Sequence, residues 1–152
     1  TIPRLLDMGV EPFLMSSTME LIIAQRLVRK VHDNCKHSQT IARADLIKEY
    51  PQVASYFSEE TVQLYKGKGC KTCKNTGYLG RTAIFEFILM TSELKDLVLT
   101  NPSTKQINEL ARSQGTRSLF EDGIDKVKNG VTTLEELLRV ASPPEKKIEK
   151  QT

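Results

Sequence analysis

The sequence has no tryptophan and only five phenylalanines and four tyrosines among 152 residues, so any core it builds rests on aliphatic side chains. Its three cysteines cannot pair off completely as disulfides, which points to a reducing compartment and away from a disulfide-stapled secreted scaffold. No apolar run approaches the roughly 20 residues needed to span a bilayer, and no basic-then-apolar leader opens the chain. An excess of charge of one sign is also missing. The 22 basic and 19 acidic residues are interspersed and leave a net charge of +3, too little to imply a nucleic-acid partner. A soluble, cytoplasmic protein with a mixed charged surface is expected. There is no initiating Met either; Thr1 stands in what reads as the middle of an amphipathic element, so a fragment of a longer chain is expected.

What is present is organised around Gly69-Cys70-Lys71-Thr72-Cys73, with Gly67 before it and Gly77 after it. Two cysteines separated by two residues form a tight knuckle whose sulfurs can grip one tetrahedral ion. Such a pair can also be a redox couple or two ordinary thiols. A redox pair would open a helix after a strand, whereas this one sits between glycines in a turn-rich loop. Only His32-Asp33-Asn34-Cys35 offers further donors at the same spacing. His32, Cys35, Cys70 and Cys73 would supply one nitrogen and three sulfurs to Zn2+, a closed structural set without a position for water. His37 competes with His32 for the nitrogen place, and the matched spacing favours His32. With 39% hydrophobic residues, the chain suits a small core helped by a metal clip.

The rest reads as α+β, mainly helical. Ile2, Leu5, Leu6 and Met8 share one helical side, with Gly9 as a stop. Glu11-Pro12 opens a second helix, with Phe13, Leu14, Ser17 and Leu21 on its expected buried side. Leu27 and Val28 suggest a short strand between Arg26 and Arg29, two arginines that suit phosphates, acidic partners or simply a solvated edge. A helix is expected over Thr40 to Tyr50, stopped by Pro51. Thr61 to Tyr65 alternates as a half-buried strand does, and Arg81 to Ile88 is a second strand that would pair with it or with Leu27-Val28. Four helices follow, each announced by a cap: Thr91 or Ser92, then Ser103 with Gln106, Ser118 with Glu121, and Thr133 with Glu136. Ser142-Pro143-Pro144 breaks the last, and residues 142–152 read as a disordered tail.

The order of motifs resembles the C-terminal third of the assembly ATPases of type II secretion and type IV pili. The resemblance is carried by Ile2-Pro3-Arg4-Leu5-Leu6-Asp7-Met8-Gly9-Val10-Glu11-Pro12-Phe13 and by Ala24-Gln25-Arg26-Leu27-Val28-Arg29. It continues through Gly69-Cys70-x2-Cys73-x2-Thr76-Gly77-Tyr78-x-Gly80-Arg81, Ile84-Phe85-Glu86, Asp122-Gly123 and Thr132-Thr133-Leu134-Glu135-Glu136, and covers nearly all of residues 1–141. It implies a hexameric motor that hydrolyses ATP with Mg2+ at the cytoplasmic face of the inner membrane. Such a motor drives pilin or pseudopilin assembly and contacts an inner-membrane platform and accessory proteins. The family's phosphate loop and acidic motifs lie upstream of a segment like Thr1 to Gly9. No Gly-x4-Gly-Lys-Ser/Thr occurs in this chain, so this stretch alone is not expected to hydrolyse ATP.

In the resemblance, residues 1–30 end a RecA-like ATPase core, residues 31–82 form a zinc-clipped subdomain and residues 83–141 a helical one. Cys35, Cys70 and Cys73 fall on three of the family's four usual cysteine places, with His32 on the fourth. Arg26 and Arg29 fall on its Gln-Arg-Leu-Val-Arg motif at the end of the ATPase core, which makes them candidate cofactor-binding residues reaching the nucleotide region or else stabilisers of the fold. Arg81 falls on its Gly-Arg motif, packing on the metal loop or gripping a partner carboxylate, and the structural role has the larger share for all three. Retraction motors resemble the same core but generally lack the cysteine subdomain, which favours assembly. Two rivals are a stand-alone zinc-bearing interaction module and a zinc-ribbon nucleic-acid binder using Lys66, Lys68, Lys71, Lys74 and Arg81. Interspersed acids and sparse aromatics disfavour the second.

Overall fold

The computed structural model of the chain describes residues 2–144. The backbone groups into two units, one of residues 2–24 with Glu86–Arg117 and one of Gln25–Phe85 with residues 118–144. Each is discontinuous in sequence. The chain passes from one unit to the other within two strands, β1 (Leu21–Val31) and β4 (Tyr78–Leu89), which pair with each other, and a third time between Arg117 and Ser118.

The first unit is helical. α1 (Ile2–Asp7) ends where Gly9 takes a φ of +85° and Val10 N–H donates back to the Leu5 carbonyl at 3.0 Å. α2 (Pro12–Thr18) starts on a proline, whose missing N–H costs nothing in a first turn. Its buried residue is Met15, while Phe13 and Leu14 are 70% and 51% exposed. The expected buried side of Phe13, Leu14, Ser17 and Leu21 is thus corrected. A helix of seven residues turns a single short stripe inward, and Leu21 belongs to β1, also exposed. α4 (Ser92–Leu99) is capped by the Thr91 hydroxyl, which accepts from the Leu94 N–H, and α5 (Thr104–Ser113) by the full reciprocal box of Ser103 and Gln106. Ile2, Met15, Ile88, Met90, Leu94 and Val98 meet in one apolar cluster.

The second unit holds a separate core in which Val28, Leu46, Phe57, Leu64, Phe120 and Leu137 meet. β2 (Lys36–Ala42) runs antiparallel to β3 (Thr61–Gly67), with Lys36 opposite Gly67 and Ala42 opposite Thr61. The alternation in β3 is as expected, for Val62 and Leu64 are buried while Thr61 and Gln63 are exposed and Tyr65 is half-buried. The helix expected from Thr40 starts later, as α3 (Arg43–Glu49). Thr40 and Ile41 are β-branched and lie in β2 opposite Gln63 and Val62, where pairing decides against helix. The partner of the strand at Arg81 to Ile88 is β1, one of the two alternatives, while β3 pairs with β2.

A 3-10 helix (Pro51–Tyr56) follows α3, and Arg43 secures this stretch by donating to the carbonyls of Phe57 at 2.6 Å and Ala54 at 3.3 Å. α6 (Leu119–Lys128) carries the reciprocal box of Ser118 and Glu121. α7 (Leu134–Val140) is capped by the Thr133 hydroxyl, which accepts from the Glu136 N–H at 3.1 Å. The expected box is only half made there, since the Glu136 carboxylate is engaged by arginines. α6 and α7 approach closely at Gly123, where a Cβ would stand 2.2 Å from Leu137 Cδ1. Residues 142–144 have no regular structure, and the rest of the expected disordered tail, like Thr1, lies outside the described residues.

Candidate metal centre

Two loops build the centre. In the first, a 3-10 turn (Asp33–Cys35) follows β1, and the Cys35 N–H donates to the His32 carbonyl at 3.1 Å. In the second, the knuckle between β3 and β4 closes on itself through Asn75 N–H to the Cys70 carbonyl at 2.9 Å and Cys70 N–H to Cys73 Sγ at 3.1 Å. Lys74 and Asn75 take left-handed φ values of 52° and 61° to make that reversal. The loops are tied together by His32 N–H to the Gly77 carbonyl at 2.9 Å and Lys68 N–H to the Cys35 carbonyl at 3.0 Å. At the neck the strands leave no room for a side chain, because a Cβ on Gly67 would lie 2.1 Å from the Gly77 oxygen.

This backbone delivers His32, Cys35, Cys70 and Cys73 to one point, their ligand atoms all within 4.8 Å of one another. His32 Nδ1 is 3.5 Å from Cys35 Sγ and 3.3 Å from Cys70 Sγ. Cys73 Sγ is 3.6 Å from Cys70 Sγ and 4.0 Å from Cys35 Sγ. A tetrahedron with zinc bond lengths has edges of about 3.8 Å between sulfurs and about 3.5 Å from sulfur to nitrogen. The donor set therefore fits a tetrahedral ion by its spacing as well as by its chemistry. His32 is 6% exposed and Cys73 4%, so the centre is shielded on that side.

The thiols are not equivalent. Burial opposes ionisation of Cys73, but the N–H groups of Cys70 and Gly77 and the neighbouring Cys70 and Cys35 thiols outweigh it and bring its pKa to about 6. Burial pushes Cys35 up, the Gly69 backbone opposes, and the neighbouring Cys73 and Cys70 add to the rise. A bound cation would favour the thiolate form of all three. His37 is not part of the group. It sits on β2 opposite Lys66, its Nδ1 buried and without a hydrogen-bond partner.

Two of the three arginines singled out in the sequence, Arg26 and Arg29, are held by this unit's own groups. Arg26 donates through Nη1 to the Val140 carbonyl. Arg29 grips Glu136, and its guanidinium carbon lies 4.2 Å from the Tyr78 ring centroid. Arg81 is exposed on β4. Glu136, read from the sequence only as a capping-box residue, and Tyr78, quoted there only within the knuckle motif, are the groups that meet Arg29. The only available signal was a capping-box glutamate, and such a residue is normally solvated.

The profile of the family described as Type II/IV secretion system protein matches residues 1–139. The chain belongs to this family. It is 40% identical over 142 residues to the type IV pilus assembly ATPase PilB of Thermus thermophilus, a match covering 90% of this chain and 15% of that protein. It is 41% identical over 145 residues to the type II secretion system protein E of Xanthomonas campestris pv. campestris, covering 91% of this chain and 24% of that one. The type II secretion system ATPase E of Vibrio cholerae is 39% identical over 139 residues, with 91% of this chain and 26% of the relative covered. The chain thus spans about a quarter or less of the length of these family relatives. Among its described residues no helix is long and apolar enough to cross a membrane.

Proposed function

We propose that this chain is the C-terminal part of an ATP-hydrolysing hexameric motor that powers type IV pilus assembly or type II secretion from the cytoplasmic face of the inner membrane. ATP and Mg2+ would be held by residues upstream of Thr1. Residues 1–30 would close the RecA-like core, and Arg26 and Arg29 would shape that edge through Val140 and Glu136 rather than touch nucleotide. The observation that carries the reading is the convergence of His32 and three cysteines in a chain about 40% identical to the assembly ATPases.

We assign the centre to a structural Zn2+. Bound there, the ion would cross-link four protein ligands and leave no position for substrate. His32 Nδ1 and the three sulfurs would hold it, fixing the knuckle as a shaped contact for an inner-membrane platform or accessory protein. Elemental analysis of the reduced, purified chain should find about one zinc per chain, and less in His32→Ala. Metal-free protein that is fully folded would overturn the zinc assignment. In the intact protein, Cys70→Ser should impair pilus assembly or secretion; unchanged activity would overturn the contact role.

A further inference from the structure

A continuous set of contacts leads from the metal centre to α7, and it passes through one side chain, Tyr78. The Gly77 carbonyl immediately before it accepts from the N–H of His32, a member of the donor group. The Tyr78 ring lies against the Arg29 guanidinium, and its hydroxyl is 2.8 Å from Thr133 Oγ1. That same oxygen caps α7 by accepting from the Glu136 N–H. Arg29 in turn neutralises the Glu136 carboxylate, while Thr132 Oγ1 donates to the Arg29 carbonyl at 2.9 Å. Tyr78 therefore touches both the hydroxyl that caps α7 and the cation that balances the buried charge α7 carries.

Beyond its turn hydrogen bonds and the two that tie it to the first loop, the knuckle has few buried contacts. Of residues 68–77 only Cys73 and Gly77 are buried, and four positions, Gly69, Lys74, Asn75 and Gly77, take positive φ. A segment with so few apolar contacts opens easily, and metal ligation would supply most of its order. Whatever orders Gly77 also places Tyr78, one residue on.

We propose that Tyr78 is a positioning residue that couples occupancy of the metal centre to the N-terminus of α7, so that metal binding and the capped helix stabilise each other. This rests on the zinc assignment above. Coupling between two sites is reciprocal: if metal strengthens the α7 cap, loosening that cap must weaken metal binding by the same factor. Tyr78→Ala removes both contacts, whereas Tyr78→Phe keeps the ring on Arg29 and deletes only the bond to Thr133.

The test uses the 152-residue chain and Zn2+ itself, with affinity measured by competition against a chromophoric chelator. Amide exchange at Glu136 and Leu137 is followed in loaded and chelator-stripped protein. Phe120→Leu, which loosens the same core away from Tyr78, is the control. In the wild-type chain, loading with zinc should slow exchange at these two amides about fivefold or more. In Tyr78→Ala that metal dependence should vanish and affinity fall by a similar factor, with Tyr78→Phe intermediate. Phe120→Leu should lower stability while keeping the metal dependence. Zinc binding with exchange at 136–137 indifferent to the metal, or a Tyr78→Ala chain that keeps both affinity and metal dependence, overturns the coupling alone. A folded wild-type chain that binds no zinc overturns the zinc assignment, and the coupling with it.

Discussion

Arg29 holds the carboxylate of Glu136 from both its backbone and its side chain. Its N–H donates to Oε1 at 3.0 Å, and Nε and Nη2 donate to Oε2 at 3.0 and 2.7 Å. Arg139 adds donors at 2.9 and 2.7 Å, and the glutamate side chain is fully buried. A buried charge is tolerable only while its partners remain. Arg29→Ala is therefore expected to cost about 2 kcal/mol, less than for a fully buried pair because Arg139 remains and the Arg29 side chain is 46% exposed. Urea unfolding of the variant beside Arg26→Ala checks this, and equal losses in the two would refute it.

The same carboxylate gives a pH dependence. Burial raises the Glu136 pKa, but the hydrogen bonds from Arg139 and Arg29 win and hold it at about 2, against 4.5 for a free carboxyl. A depressed folded-state pKa contributes stability that is complete above the unfolded value and is lost as pH falls through the folded one. The wild-type chain should thus lose stability faster than Glu136→Gln between pH 4.5 and about 2. Both proteins are compared metal-free, so that loss of metal in acid does not enter the difference. Parallel pH profiles would show that the carboxylate is not the titrating group.

At the knuckle's neck, Gly67→Ala should reduce both stability and zinc affinity, with a stability loss of about 1–3 kcal/mol from the forced backbone shift. The added Cβ meets the backbone oxygen of Gly77, which has nowhere to rotate. Gly80→Ala is the contrast: its φ of +75° strains an alanine, yet no atom lies within 4 Å of the new Cβ. It should lose about 1 kcal/mol and keep its metal affinity. Zinc titrations of the two variants decide the matter.

Gly123 sits inside α6, where alanine would normally be preferred by about 1 kcal/mol. Here Gly123→Ala is expected to be destabilising, because the new methyl enters the space of the fully buried Leu137. Combining it with Leu137→Ala should cost less than the sum of the two changes, and a thermodynamic cycle measures the difference. Strict additivity would show that the helices separate without strain.

The helix starts were legible because each is a local event. The hydroxyls of Thr91, Ser103, Ser118 and Thr133 accept from an N–H three residues on, whatever the rest of the chain does. The donor set was legible for a similar reason, since matched spacings in two short loops limit which atoms can converge. β2 was hidden because Lys36 to Ala42 shows little alternation of its own and takes its strand form from β3. The exposure of Phe13 was hidden too, for an apolar residue in a short helix announces burial whether or not a neighbour exists to cover it.

The sequence by itself determined the family, the capped helices and the identity of the four convergent donors, because motifs and caps act over a few residues. Only the tertiary structure decided that Glu136 turns from its own cap to Arg29, 107 positions away, and that Tyr78 reaches Thr133, 55 positions away. The reason is physical: Arg139, three residues on, is a partner that helix spacing supplies, but a buried carboxylate needs further donors, and packing alone brings Arg29 beside it.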